Sequence, residues 1–449
     1  MNGTMKEKMK TIRLLTAALF LAAGFSTVYA QTQPTYLSLN EALEKALKQN
    51  KQIQITSQDE KIAHSEFGKS NAIFLPQVNV SYSAMVTNDP LNVFGFRLKQ
   101  QSVTAEDFNP ALLNSPGAFE NFNTNIEVQM PLINLDLIYK RKAAAAQMES
   151  ARYGTLRMKE YIVFEVKKAY LQLQLAYREK KVVEEALATS KEVFASVERF
   201  YAQGLIRKSD VLNAKVHVSG LETNLEKAGS GISNASDYLS LLMGRPVGTI
   251  YRLDESTSIL TDKNNSVSPL RADFQALEKA AKSVGMMKKS YGFSLVPRLN
   301  AFGSYQWNDK KFASFGSDSY MLGVSLSWTI FNGNQSKYGT RSAKLQEMKL
   351  QEQLADQKMK AELEYTKTSR DLDDIAFELQ KQNDMVEQAA EALRIVKDRF
   401  SQGLEKTTDV LVAQTQLSAQ QLNYARDLYK QNLTAAYMEF ITSNGTNNQ

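Results

Sequence analysis

The clearest pattern along the chain is a regular alternation of apolar and polar side chains in four short segments. In residues 77–86, 121–130, 298–307 and 320–328 one face is mainly apolar, and the other is rich in Asn, Ser and Gln. A period of two residues predicts β-strands. At about ten residues each, the strands have the length of a tilted strand that crosses a bilayer.

These four strands cannot close a barrel by themselves, because the smallest bacterial membrane barrels contain eight strands. The apolar faces carry no charge. They present aromatic residues suited to a membrane interface: Tyr82, Tyr305, Trp307, Tyr320 and Trp328. We expect the strands either to pair with strands of other subunits in a membrane or to form the half-buried sheet of a soluble sandwich.

The segments outside the strands predict helices, two of them very long. From about Leu135 to Ala202 there is no proline and one glycine, which predicts a helix of roughly 100 Å. Apolar positions there step by four and three residues, which is typical of coiled coils. A moderate helix is predicted from Ser38, in a capping pattern with Glu41, to about Pro76.

The chain divides into two halves with the same order of parts. Each half has a moderate helix, a strand, a loop, a strand, a very long helix, a break and another long helix. The pattern predicts an internal duplication with repeats over 31–244 and 271–445. Residues 245–270 are irregular and polar and are interpreted as a linker, and 446–449 as a tail.

A short stretch occurs twice, as YAQGLIRKSDVL in 201–212 and FSQGLEKTTDVL in 400–411. Its glycines predict left-handed caps that end one helix, and its Ser or Thr predicts the cap of the next, with an Asp in the first turn. Each copy is therefore predicted to be a five-residue turn at the tip of a helical hairpin. Tyr201 and Phe400, just before the turns, are interpreted as packing residues.

Composition narrows the function classes. A basic start, an apolar run over 14–25 and a small-residue cleavage pattern ending at Ala30 predict a secretory signal peptide over 1–30. That segment carries +3, and subtracting it from the +6 of the whole chain leaves +3, which does not indicate nucleic-acid binding. Without cysteine, thiol chemistry, disulfides and N-terminal lipidation are excluded. The rest of the sequence contains no run of 18 apolar residues, so no further membrane helix is predicted. His64 and His217 are interpreted as ordinary surface residues.

The motifs in their duplicated order resemble the trimeric outer-membrane efflux and secretion channels typified by TolC. The resemblance covers essentially the whole mature chain. It rests on the Leu-Ser-Leu-Asn-Glu-Ala-Leu opening, the Leu-Pro-Gln strand start, the Ile-Phe-Asn-Gly strand end, and the twin Gln-Gly-Leu-x-x-x-[Ser/Thr]-Asp-Val-Leu tips. It implies a mainly α fold in which three chains form a 12-stranded β-barrel, continued by a coiled-coil tunnel in the periplasm of a Gram-negative bacterium.

The resemblance also implies a function and partners. The channel would passively export substrates that an inner-membrane pump of the RND or ABC type delivers through a periplasmic adaptor, in a tripartite efflux or type I secretion system. It would be no enzyme and would need no cofactor or metal. No phosphate-binding loop of the Walker type occurs in the sequence, so energy would come from the partner.

The family's tip roles map onto particular residues here. Asp210 and Asp409 match acids that ring the periplasmic entrance and attract cations, although stabilisation of a helix N-terminus also explains both. The resemblance implies that the tips dock on the adaptor through Gly204, Leu205, Ser209, Gly403, Leu404 and Thr408. Three positions depart from the family pattern, Asn213 and Val412 where a second acid is common and Glu405 where some members have a closing arginine.

Two other classes of protein remain open at this point. A periplasmic coiled-coil adaptor would explain the hairpins, but not two pairs of membrane-length strands. A secreted hydrolase or surface-binding protein with a helical stalk would use the long loop at 87–120 as its binding region, whereas a channel would expose it as an extracellular loop.

Overall fold

The computed structural model describes residues 35–254 and 266–444. This part of the chain is mainly helical, with one four-stranded sheet and one pair of very short strands. The predicted signal peptide, the middle of the predicted linker and the predicted tail lie outside the described residues.

The elements follow the predicted order, except that the predicted long loop at 87–120 contains two short α-helices. The first half contains β1 (Thr35–Tyr36), α1 (Leu39–Gln49), α2 (Lys51–Lys69), β2 (Gln77–Thr87), α3 (Pro90–Lys99), α4 (Pro110–Asn114), β3 (Phe119–Ile133), α5 (Leu135–Ala202) and α6 (Lys208–Leu242). The predicted linker contains β4 (Tyr251–Arg252). The second half contains α7 (Ala272–Phe293), β5 (Arg298–Asp309), β6 (Ser317–Ser327), α8 (Gln335–Ser401) and α9 (Thr407–Thr442). The four predicted strands and the long helix over Leu135–Ala202 are confirmed.

The prediction of one moderate helix up to about Pro76 is wrong in one respect, because the helix is interrupted at Asn50. The side chain of Asn50 accepts hydrogen bonds from the backbone N–H groups of Gln52 and Ile53, at 2.9 and 3.2 Å. Its Nδ2 donates to the carbonyl oxygen of Leu242 at 2.8 Å. Asn50 thus ends α1, caps α2 and ties both to the end of α6. The predicted cap at Ser38 is confirmed, since Ser38 Oγ accepts a hydrogen bond from the backbone N–H of Glu41.

The four long strands form an antiparallel sheet in the order β2-β3-β5-β6. The register places apolar side chains in rows across all four strands, for example Val78, Val128, Gly303 and Leu322. The next row, on the opposite face, is Asn79, Glu127, Ser304 and Met321. The apolar face is uncovered in the single chain, with Leu322 77% and Val80 68% exposed.

The sheet has two unpaired edges and a charged residue at one end of its apolar face. Strands β2 and β6 each have a single neighbour, so the sheet has two open edges in one chain. Strand β6 begins three residues before the predicted start and puts Asp318 on the apolar face. The prediction that this face carries no charge is therefore wrong at its end, where Asp318 accepts a hydrogen bond from the Tyr305 hydroxyl.

The long helices pack in a layer that continues from the sheet. Helix α5 lies against α6, α7, α9 and α2, and α8 lies against α7 and α9. Helices α5 and α8 contain 68 and 67 residues, so each is about 100 Å long. Within residues 35–254 and 266–444, none of the helices combines the length and the apolar character that a membrane-spanning helix needs.

The segment predicted to be an irregular linker contains the short strand β4. It pairs in parallel with β1, and Tyr251 at its start is buried. The Tyr251 carbonyl oxygen accepts from the Tyr177 hydroxyl at 2.7 Å, and its own hydroxyl lies 2.9 Å from Ser240 Oγ. These bonds fix the start of the linker in the main apolar core, beside Tyr170 and Leu239, which a local polar pattern does not predict.

Candidate functional site

The two hairpin tips have nearly identical backbones. Helix α5 ends at Ala202 and α6 begins at Lys208, while α8 ends at Ser401 and α9 begins at Thr407. Both five-residue turns are confirmed. Each lies at the end of a long helix pair that points away from the sheet.

Each first helix ends as the glycines predict. Gly204 and Gly403 have φ of +74° and +73°, a conformation that disfavours residues with a Cβ. Gly204 N–H donates to Tyr201 O and Leu205 N–H to Phe200 O, both at 2.9 Å. In the second tip, the backbone N–H groups of Gly403 and Leu404 donate the equivalent two bonds, to Phe400 O and Arg399 O. This is the Schellman arrangement, and it leaves Leu205 and Leu404 67% and 62% exposed at the outermost point.

The predicted caps of the second helices are wrong. Ser209 and Thr408 lie inside α6 and α9, and the capping residues are Arg207 and Lys406. The reason is visible at the first tip, where the backbone N–H of Arg207 donates to Asp210 Oδ2 at 3.2 Å. The acid in the first turn thus accepts from the backbone of the capping residue itself, and α6 begins at Lys208, before the predicted Ser209 cap.

The two acids, Asp210 and Asp409, therefore differ in their surroundings although their sequence positions match. Asp210 caps its own helix through the bond from Arg207. Within residues 35–254 and 266–444, the Asp409 carboxylate accepts only a long contact, 3.5 Å, from the neighbouring Thr408 hydroxyl. Both side chains are partly exposed, so Asp409 has more of its carboxylate available for a cation or a partner.

The residues that depart from the family pattern also have definite positions. Glu405 forms an ion pair with Arg399 of the same tip, with Nε and Oε2 3.2 Å apart. Asn213 and Val412 are exposed. The second tip therefore neutralises its own extra acid, a pairing that sequence reasoning did not anticipate because the partners flank the turn.

The tips of the two hairpins pack against each other through a small apolar cluster. Its buried members are Val193, Val197, Ala214, Leu393, Phe400, Val410 and Leu411. Phe400 is 5% exposed, and its ring lies 5.6 Å from that of Phe200 at an angle of 70°. The packing role predicted for Phe400 is confirmed, but that of Tyr201 is wrong, because Tyr201 is 44% exposed and Phe200 takes its place.

His217 connects the hairpins, so its interpretation as an ordinary surface residue is wrong. Its Nδ1 lies 3.3 Å from Ser190 Oγ on α5, and its Nε2 lies 3.2 Å from Thr415 Oγ1 on α9. Burial lowers the pKa of His217 below its ordinary value. The signal in the sequence was Ser190, which interrupts the apolar coiled-coil stripe of α5. His64 is exposed, as predicted.

Four of the five strand aromatics lie on the apolar face of the sheet, at different distances from the helices, and Trp328 follows directly after β6. Tyr82 and Trp307 are near the end that faces away from the helices, and each contacts a phenylalanine of the β5–β6 turn. Trp328 is at the helix end, where its Nε1 donates to Leu295 O at 2.9 Å. Tyr305 and Tyr320 pair with each other between these levels.

The sequence profile of the outer membrane efflux protein family matches residues 42–245 and 270–442, most of the chain. The chain belongs to this family. Its members are outer membrane efflux channels, and the resemblance stated from the tip and strand motifs is thus confirmed. None of the curated proteins matches the sequence significantly.

Solved structures show the same fold for this outer membrane efflux protein. A membrane protein from Pseudomonas aeruginosa aligns with TM-score 0.78 at 17% identity, over 90% of this chain and 92% of that one. VceC from Vibrio cholerae gives 0.75 at 19%, over 90% and 96%. The CmeC outer membrane channel of Campylobacter jejuni gives 0.76 at 14%, over 94% and 91%. The mainly helical architecture with a few strands matches all three.

Proposed function

We propose that three copies of this chain close a 12-stranded barrel in the outer membrane of a Gram-negative bacterium and continue into a helical tunnel in the periplasm. The observation that carries the proposal is a membrane-length sheet with one uncovered apolar face and two open edges, joined to helices of about 100 Å. Pairing β2 of one chain with β6 of the next satisfies both edges. The repeats over 31–244 and 271–445, joined by the linker 245–270, then each contribute two strands and one hairpin.

The assembled channel passively exports substrates that an inner-membrane RND or ABC pump delivers through a periplasmic adaptor, in efflux or type I secretion. The hairpin tips face the pump. Their exposed residues dock the adaptor: Gly204, Leu205, Ser209, Gly403, Leu404 and Thr408. Asp210 and Asp409 of three chains line the entrance, and the strand aromatics anchor the barrel in the membrane. The protein is held by its strands, without lipidation. Family membership does not favour the alternative of a coiled-coil adaptor.

Fractionation and electrical recording test the proposal together. We expect a detergent-requiring trimer in the outer membrane fraction that conducts ions in a planar bilayer. Asp409→Ala with Asp210→Ala is expected to reduce cation preference, because like charges in a narrow ring attract cations. A water-soluble periplasmic monomer, or a trimer that conducts nothing, contradicts the proposal.

A further inference from the structure

Two polar side chains on the polar face of the sheet are hidden. Asn121 and Asn308 are each 1% exposed, whereas their neighbours Asn125 and Gln306 on the same face are partly exposed. A face that lines a watery pore should leave its amides accessible, so something must cover this end of the face. The cover is the segment between β2 and β3, residues 88–118, called the crossbar here.

One residue of the crossbar, Gln100, is hydrogen-bonded directly to two of the four strands, β3 and β6, and through Asn121 to a third, β5. Its Nε2 donates to Asn121 Oδ1 and to Glu120 O, both at 2.9 Å. Its carbonyl oxygen accepts from Ser317 Oγ on β6 at 2.7 Å. Asn121 in turn donates from Nδ2 to Asn308 Oδ1 on β5 at 3.1 Å. Gln100 thus holds the crossbar against the polar face of the sheet.

The crossbar also packs as a folded unit. Val93 of α3 is 3% exposed, and Phe119, on the same face of β3 as Asn121, is 8% exposed. Arg97 lies over the Phe119 ring at 5.1 Å and forms an ion pair with Asp107. These contacts hold the crossbar against the polar face rather than leaving it as a free surface loop.

The dimensions show that the crossbar spans the sheet. Helix α3 has ten residues and is about 15 Å long, while the three gaps between four strands add up to about 14 Å. It starts beside β2 and reaches Ser317 on β6. Because β3 and β6 lead into the long helices at the other end, the crossbar lies at the end that faces away from the tunnel.

We propose that residues 88–118 form the size-limiting constriction at the outer mouth of the channel, an inference that rests on the proposed function. Twelve strands about 4.8 Å apart and tilted by about 40° enclose a ring about 24 Å across between backbones. A helix with its side chains is about 10 Å thick. Three crossbars on the inner wall therefore leave an opening of only a few Å, and large cargo passes only when they move.

The polar network supports a crossbar that moves. Gln100 Oε1 and Asn308 Nδ2 are buried and have no hydrogen-bond partner in the described part of the chain. Unsatisfied buried polar atoms destabilise the state that buries them. The docked crossbar is thus held less firmly than a fully paired network would hold it.

The test is thiol labelling from outside intact cells, which does not depend on whether the distant tips are closed. The chain has no cysteine, so Ser81→Cys on the exposed part of the polar face places a single thiol below the crossbar. Lys311→Cys, in the exposed turn between β5 and β6, is the matched control at the cell surface. Each is exposed to a small charged maleimide and to a large polyethylene-glycol maleimide.

We expect the large reagent to label Lys311→Cys fully and Ser81→Cys at least about tenfold more slowly, because the narrowest ring limits passage. Replacing residues 90–114 by a short Gly-Ser turn is expected to abolish that difference. Thr87 pairs directly with Phe119, so a short turn can join β2 to β3. If the deletion does not assemble, Gln100→Ala with Ser317→Ala, which removes the tethers, is expected to speed the large reagent's reaction at Ser81→Cys.

The outcomes separate the inference from the proposed function. If Lys311→Cys is not labelled on intact cells, the outer-membrane barrel itself is contradicted. If Lys311→Cys is labelled and the large reagent reaches Ser81→Cys equally fast with and without the crossbar, the barrel stands and the constriction is overturned.

Discussion

Phe400→Ala should loosen the contact between the two hairpin tips. Phe400 is almost fully buried in a cluster with members from both hairpins, and truncating such a phenylalanine costs about 3–5 kcal/mol. Part of that packing lies within its own hairpin. Assigning about half to the contact between hairpins gives about 2 kcal/mol, or roughly a 30-fold shift towards separated tips.

The matched control is Tyr201→Ala. Tyr201 occupies the equivalent place in the first tip but is 44% exposed, so its truncation should change the contact little. Amide hydrogen exchange of residues 393–411 in the detergent-solubilised trimer measures the separation, and the open fraction in single-channel recordings measures its consequence. Equal effects of the two substitutions would refute the assignment of the contact to the Phe400 cluster.

Three further predictions concern the same tips. Gly403→Ala should destabilise the second tip by about 1–2 kcal/mol, because a Cβ disfavours its left-handed backbone although the space around it is open; exchange of the tip amides measures this. Burial lowers the pKa of His217, so the unfolded chain takes up a proton before the folded chain does as the pH falls below about 6.5. The melting temperature should therefore decrease as the pH is lowered through this range. In His217→Gln the decrease should be smaller. Asp210→Ala should destabilise its tip by about 0.5–1.5 kcal/mol, because it removes the hydrogen bond from the Arg207 N–H. Asp409→Ala, which loses only the favourable position of an acid at a helix N-terminus, should lower the melting temperature less and reduce cation preference.

The sequence predicts the strands well because a period of two residues is a local property that one buried or lipid-facing side imposes. The same holds for the long helices, whose bounds at Leu135 and Ala202 follow from the absence of proline and from the glycine turn. The break at Asn50 was not predictable from that pattern, because one of the bonds that fix it is donated by Asn50 to the carbonyl oxygen of Leu242, nearly two hundred residues later.

The site was predicted in outline and missed in detail for a similar reason. The turns follow from Gly204 and Gly403, whose need for positive φ is intrinsic. Whether Ser209 or Asp210 supplies the cap depends on side-chain geometry within a single turn, which two equally suitable residue types leave undecided. The roles of His217 and Gln100 depend on partners from distant elements, so no local pattern indicates them.

The contacts between the two hairpins near the tips differ in strength, and the proposed opening would begin at these contacts. Lys397 on α8 pairs with Glu192 on α5 at 2.7 Å, but both side chains are substantially exposed, so the pair contributes less than about 1 kcal/mol. The His217–Thr415 bond is a neutral one of about 1 kcal/mol. The Phe400 cluster is therefore the strongest of these three contacts. Phe400 lies in the last turn before Gly403, so an adaptor that docks on the exposed Leu404, as proposed, would act next to the strongest of these contacts.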